Sequence, residues 1–436
     1  MSVSDAEGWC ERLSREQLAE RQLERLRGLL AVVTGSNAFY RAKFAAAGLR
    51  VPDDIRTLAD LWRLPFTTKQ ELVADQEAHP LFGTNLSFPL EQFVKYHQTS
   101  GTTGRPLRWL DTEASWNWWL RCWAAVYRSA GVGPGDRAFF AFGFGPFIGF
   151  WSAFEAARLA GAMSIPGGGL SSEQRLKMLI DTGATVLVCT PTYALHLAEI
   201  AQRGGIDLVR SAVRVTLHAG EPGASIPSTR QRIEEAWGAQ CFDHTGATEV
   251  GATGFSCAAR DGVHLNEAEF IFEVIDPHTL KPASEGELVV TNLGRHGMPV
   301  IRYRLGDAVR LQQNACACGR TFVRISGGVM GRVDDMVTVR GVNVFPSAIE
   351  TIVRQFPMIV EFQSEVTRAA ELDALAIRIE LQAGAYENIV RELAHRVHEQ
   401  LGFRPEVSVA EAGSLPRFEL KARRFTDRRG PPNDLT

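Results

Sequence analysis

Neither sign of charge is in excess in this chain: among 436 residues, 47 Lys and Arg stand against 50 Asp and Glu, and the pI is near 6.4. A broad basic field is therefore missing, which argues against nucleic acid or an anionic membrane as partner. Long apolar runs are also scarce. The uncharged stretch Ala138 to Phe154 is interrupted by Gly143, Gly145, Pro146 and Gly149 and is short for a membrane span. It reads as a buried strand and turn entering a helix. Met1 to Arg12 carries Asp5, Glu7 and Glu11 and no apolar segment, so a secretory signal is not expected and the cytoplasm is the default compartment. Cysteine is sparse. The seven thiols, an odd number without a regular ladder, argue against a disulfide framework, and most should be reduced.

What is present is length and alternation. A chain this long exceeds a single hydrophobic core and should divide into a large and a smaller domain. Helical spacing marks Arg12 to Leu30, Thr68 to Ala78 and Asp111 to Ala130, the last carrying Trp116, Trp118, Trp119 and Trp123 as a packing face. From Arg137 to His244 apolar strands and helices alternate. Strands are expected at Ala138 to Phe142, Ala162 to Ile165, Thr185 to Cys189, Val213 to His218 and Ala239 to Phe242, with helices between them. This order predicts an α/β fold with a mostly parallel, helix-covered sheet. After Glu249 the pattern becomes β-rich, with Glu269 to Ile275, Gly286 to Thr291 and Pro299 to Tyr303 read as strands of an antiparallel sheet or distorted barrel. Beyond Asp334 it becomes a small α+β unit. The expected domains are 1–333 and 334–436.

One loop organises the chemistry. In Thr99-Ser100-Gly101-Thr102-Thr103-Gly104-Arg105-Pro106, two glycines spaced by hydroxyl residues allow a tight turn whose N–H groups and hydroxyls converge on an anion. Arg105 adds a fixed positive charge. The glycine spacing is too short for a Walker loop, and no Gly-Lys-Ser/Thr follows. Ligands of a parallel sheet sit beyond the carboxyl ends of its strands. Three loops meet that rule: Gly143 to Phe147, Ala219 to Pro222 and Asp243 to Glu249.

Taken in order, these segments resemble the adenylate-forming superfamily of acyl-CoA synthetases and adenylation domains, and most closely its phenylacetate-CoA ligase branch. Seven runs carry the resemblance: Thr99 to Pro106, His218 to Pro222, Thr245 to Gly251, Arg302 to Asp307, Gly331 to Asp335, Arg340 to Pro346 and Leu415 to Lys421. The resemblance implies an ATP-dependent ligase that couples an acid to AMP and then transfers the acyl group to CoA. It implies ATP contacts from Ser100, Gly101, Thr102, Thr103, Gly104, Arg105, Gly220, Glu221, Pro222, Asp243, His244, Thr245, Asp307 and Arg332. Asp307 suits two ribose hydroxyls because a carboxylate has two acceptor oxygens. Glu249 is the expected Mg²⁺ ligand. Lys421, on a mobile C-terminal domain hinged near Asp334, is the expected catalytic cation of the first step.

The acyl pocket is expected from Phe142, Phe144, Phe147, His244 and Gly246, whose flat apolar walls favour an aryl or arylacetyl acid. Cys257, His264, Cys316 and Cys318 form the ligand set of a closed structural Zn²⁺ site, with free buried cysteines as the alternative. Two positions depart from the family pattern. Arg105 replaces a lysine, and Thr245 stands where an aromatic ring usually stacks on adenine. The acceptor remains open between CoA and an amine, hydroxyl or carrier-protein thiol. A catalytically silent nucleotide-binding protein is a further alternative, and monomer and homodimer are both compatible with these residues.

Overall fold

Short β-branched and aromatic runs separated by capped helices build the centre of the molecule. The computed structural model describes residues 8–99, 106–221, 223–333, 335–340, 342–369, 372–382, 388–418 and 424–429. An antiparallel pair, β1 (Phe93–Gln98) and β2 (Arg108–Thr112), precedes the main sheet. Next come β3 (Arg137–Phe140), β4 (Met163–Pro166), β5 (Val186–Cys189), β6 (Val215–His218) and β7 (Gln240–Ala247), parallel in the order β4-β3-β5-β6-β7. The helices between them start where the sequence supplies caps: Ser171 closes a capping box, and Thr190 caps a helix whose first residue is Pro191.

The β-rich region is no separate barrel. β8 (Gly251–Ser256), β9 (Val263–Leu265), β10 (Phe270–Ile275), β11 (Glu285–Asn292), β12 (Tyr303–Gln312), β13 (Arg324–Ile325) and β14 (Gly331–Arg332) continue the parallel sheet into one of twelve strands. β7 is the seam, parallel to β6 on one edge and antiparallel to β8 on the other. For that reason Asp243 to Ala247, expected in a loop, lies on a strand.

Pro299 to Tyr303 is not a strand either. Arg302 has φ 48°, and Ile301 and Arg302 donate their N–H groups to Tyr40 Oη and Thr291 Oγ1, so this stretch has no ladder to join. The strand begins at Tyr303. Likewise Asp111 falls in β2, and the tryptophan helix starts only at Glu113, capped by Thr112. Its indoles are core: Trp116, Trp118, Trp119 and Trp123 are all buried.

A second sheet follows. β15 (Val337–Val339) and β16 (Val342–Val344) form a hairpin, and β17 (Ile359–Ala369), β18 (Leu372–Leu381), β19 (Glu406–Val409) and β20 (Phe425–Asp427) are ordered β19-β18-β17-β20. Helices Pro346–Val353 and Asn388–Leu401 pack on it around Ile349, Phe362, Ile377 and Leu393, an apolar cluster of its own.

Candidate active site

The carboxyl ends of β3, β5, β6 and β7 form one edge of the parallel sheet, and strand order reverses between β3 and β5. Gly220 and Glu221 follow β6 at this edge, and Asp243, His244 and Thr245 lie on β7. Thr99 and Leu107 close the neck of the glycine-threonine loop with two hydrogen bonds of 3.0 Å, from Thr99 N to Leu107 O and from Leu107 N to Thr99 Oγ1. The loop residues Ser100, Gly101, Thr102, Thr103, Gly104 and Arg105 lie outside the described residues, as do Pro222, Asp334 and Lys421. Gly220, at the end of β6, has φ 95°, a backbone that glycine adopts without strain. The neighbouring Glu221 accepts a 2.9 Å hydrogen bond from Thr192 N.

Side chains alternate across β7, and two of its polar residues are buried in different surroundings. Asp243 accepts hydrogen bonds from the Ser225 hydroxyl and from His244 N. Burial pushes its carboxyl up to about 6 against those donors. His244 lies against Trp123 with ring centroids 4.2 Å apart. Its Nδ1 is 2.8 Å from the Gly254 carbonyl, which can only accept, so the proton sits on Nδ1. Burial brings this imidazole down to about 4, leaving it neutral with Nε2 as an acceptor. Gly246 follows, and a Cβ there would stand 2.6 Å from the Gly251 carbonyl oxygen, so the hairpin requires glycine. Thr245, where an aromatic ring was expected by resemblance, has its hydroxyl 3.3 Å from that of Thr253 across the same hairpin.

Glu249 is half-buried in the turn between β7 and β8. The turn is braced by a residue that sequence reasoning missed. Arg295 donates from Nη1 to the carbonyls of Thr248 and Glu249 at 2.9 and 3.2 Å. Its remaining donors pair with Asp111 at 2.8 and 2.7 Å, and Trp109 and Trp119 lie 4.7 and 5.4 Å from the guanidinium carbon. The available signal was a lone acid at the end of an apolar run, Trp109-Leu110-Asp111.

Asp307 on β12 faces Arg332 on β14, with Arg332 Nη1 3.3 Å from Asp307 Oδ1 and 2.6 Å from the Leu305 carbonyl. Gly306 makes room: a Cβ there would meet the Arg332 guanidinium at 2.5 Å. Glu249, Arg332 and Asp307 all act electrostatically on the Tyr303 phenol, which burial holds well above its ordinary pKa.

Phe142 and Phe144 come together at 5.5 Å and join a larger aromatic cluster, Phe142 stacking on Phe150 at 3.9 Å and Phe144 meeting Trp151 at 4.8 Å. Phe147 folds back over Gly145, whose added Cβ would lie 3.2 Å from its ring. Among the described residues, the ring neighbour of His244 is Trp123 rather than these phenylalanines.

A second constellation lies on the far stretch of β8 and β9. The ligand atoms of Cys257, His264, Cys316 and Cys318 all fall within 4.8 Å of one another. Cys257 Sγ is 3.6 Å from Cys316 Sγ, close to the ~3.8 Å edge of a tetrahedron with Zn–S bonds of about 2.3 Å. His264 Nδ1 points to the Phe322 carbonyl at 3.2 Å, leaving Nε2 toward Cys318 Sγ at 3.4 Å. The donor set and the outer hydrogen bond both fit a zinc ion.

Residues 341–429 match the family described as AMP-binding enzyme C-terminal domain. The chain is 35% identical to phenylacetate-coenzyme A ligase of Escherichia coli (strain K12), covering 96% of this chain and 97% of that one. A crystal structure of 2-hydroxyisobutyryl-CoA ligase in the postadenylation state, with R3-HIB-AMP, superposes with TM-score 0.91 at 30% identity over 96% of this chain and 91% of that one. The same relative in its thioesterification state, with 2-HIB-AMP and CoA, gives 0.73 at 31% identity over the same shares. The chain as a whole thus superposes better on the former state than on the latter.

Proposed function

The chain belongs to the phenylacetate-CoA ligase family of AMP-forming acid-thiol ligases, and we propose that it activates an aryl or arylacetic acid as its adenylate and passes the acyl group to CoA. The observation that carries this reading is the Arg332–Asp307 pair, 3.3 Å apart on the adjoining strands β14 and β12, in two of the runs that resemble the family's motifs. An anionic carboxylate must approach an anionic triphosphate, so the site has to supply cations and aligned donors. The loop 99–106 takes the phosphates, with Arg105 replacing the usual lysine. Gly220, Glu221, Pro222, Asp243, His244 and Thr245 border the adenine, and Asp307 accepts the ribose hydroxyls.

Glu249 is the carboxylate that would hold Mg²⁺, whose charge offsets that of the phosphates. Its turn is held still by Arg295, which suits such a role. Lys421 bridges the attacking carboxylate and the α-phosphate. Residues 334–436 then act as a separate lobe that reorients about Asp334 for the thiol step. Cys257, His264, Cys316 and Cys318 hold a structural zinc, away from the chemistry. The seven free cysteines accord with a reducing compartment, and among the described residues no helix is long and apolar enough to cross a membrane.

The aromatic substrate is supported by the names of the sequence relatives and by the aromatic cluster of Phe142 and Phe144 after β3. Pyrophosphate release should be fastest with benzoates or phenylacetates in a screen that includes 2-hydroxyisobutyrate and longer aliphatic acids. Turnover of aliphatic acids alone would remove the aromatic assignment. Lys421→Ala should lose adenylation by at least a hundredfold, and adenylation at the wild-type rate would remove the mechanism.

A further inference from the structure

Two arginines bracket, in sequence, the segment 419–423 that contains Lys421, and both reach the large lobe. Arg417 Nε is 3.6 Å from Glu199 Oε2. Arg424 Nη1 and Nη2 are 3.3 and 3.4 Å from Thr192 Oγ1. Glu199 and Thr192 lie on one helix, Pro191–Arg203, which follows β5. Each arginine is also fastened within its own lobe. Arg417 pairs with Glu380 at 2.7 Å, and Arg424 pairs with Glu361 at 2.6 Å and Glu350 at 3.1 Å. They meet the helix as fixed prongs rather than as free surface chains.

The charge balance of this cleft makes Glu199 decisive. Arg354, Arg417 and Arg424 line it from the small lobe, where Glu350, Glu361 and Glu380 pair with them, while the large lobe brings Arg232 and Glu199. Arg232 Nη1 is buried with no hydrogen-bond partner among the described residues. Without Glu199, Arg232 would be the one charged side chain among the described residues that the large lobe contributes to this lining, and it would face two guanidinium groups. Thr192 adds a second link. Its hydroxyl receives Arg424 while its N–H holds Glu221 at 2.9 Å, so the small lobe and the turn after β6 meet at one residue.

We propose that Thr192 and Glu199 are positioning residues for the first half-reaction. They form a rail that receives Arg424 and Arg417 and so holds the Lys421-bearing lobe in its adenylation orientation. This rests on the reading of Lys421 given above. The chain in which these contacts occur superposes on the postadenylation relative with TM-score 0.91 and on the thioesterification one with 0.73, and the rail is assigned to the former state.

The test separates the half-reactions. Acid-dependent exchange of pyrophosphate into ATP is measured with phenylacetate, or with the fastest acid of the screen. CoA-dependent consumption is measured on the corresponding purified acyl-AMP. Glu199→Lys should lower exchange by about tenfold and leave acyl-AMP consumption within about twofold, and Glu199→Gln should lower exchange by about two- to threefold, as expected for a part-exposed ion pair. Unchanged exchange in Glu199→Lys overturns the proposal. So does a parallel fall of both half-reactions in the milder Glu199→Gln, which marks a structural role. Lys421→Ala is run alongside: if it keeps exchange, the reading of Lys421 fails, whereas if it loses exchange and Glu199→Lys does not, the rail alone fails.

Discussion

Removing the carboxylate that faces Arg295 should harm both folding and the placement of Glu249, and the two effects can be separated. The Asp111 and Arg295 side chains are each 0% exposed. In Asp111→Asn the guanidinium keeps its charge inside the core with only a neutral acceptor beside it, which destabilises by about 3–5 kcal/mol. The native pair is itself no large source of stability, since burial pushes the Asp111 carboxyl up despite the adjacent guanidinium. An apolar pair of similar volume, Asp111→Leu with Arg295→Met, should therefore recover to within about 1 kcal/mol of wild type. It cannot replace the donors that hold the Thr248 and Glu249 carbonyls. Losing both hydrogen bonds at that turn, with about 1.5 kcal/mol of that loss falling on the placement of Glu249, corresponds to roughly a tenfold slower adenylation. Urea midpoints and pyrophosphate release across a Mg²⁺ titration measure the two effects. A double variant that is stable and fully active at the wild-type Mg²⁺ requirement would refute the reasoning, as would Asp111→Asn with an unchanged midpoint.

Three further outcomes are expected. Purified protein should contain one zinc per chain by elemental analysis, and Cys316→Ser should lose it and unfold at lower urea; a metal content unaffected by this change would remove Cys316 as a ligand. Acid should destabilise the large lobe between pH 6.5 and about 4. Burial brings His97 to about 3 and His218 and His244 to about 4, so each takes up its proton only on unfolding, and the stability present above 6.5 is lost as pH falls. Asp243, raised to about 6, works the other way, its contribution being present at low pH and lost as pH rises through 6. The buried imidazoles outnumber this carboxyl, so the net effect is a loss of stability as pH falls, and urea midpoints that stay flat from pH 6.5 to about 4.5 would contradict it. Gly246→Ala should slow adenylation at least tenfold, because its Cβ would meet the Gly251 carbonyl at 2.6 Å and displace the Glu249 turn; unchanged kinetics would show that the hairpin adapts.

Much of the fold was legible in local pattern. Between Arg137 and Gln240 the period of apolar residues switches between strand and helix, and hydroxyl or proline residues mark the starts, so element type and boundaries follow from neighbours in sequence. The small lobe was legible for the same reason at Pro346–Val353 and β17 to β19. The thiol and imidazole cluster was readable because Cys316 and Cys318 are adjacent in spacing and chemistry.

What local pattern could not carry was pairing between distant segments. Whether Asp243 to Ala247 is loop or strand depends on β8 being there to accept its hydrogen bonds, and the apparent strand at Pro299 fails because Tyr40 and Thr291 capture its N–H groups. Asp111 and Arg295, 184 positions apart, look like ordinary charges until folding buries both and leaves each as the other's counter-ion. The same holds for Glu199 and Arg417. Sequence alone determined which residue types stand ready for adenylate chemistry and which runs become strands or helices, since both depend on short-range spacing. Tertiary structure alone decided which charges meet, because desolvation and Coulomb attraction act through space and take no account of position along the chain.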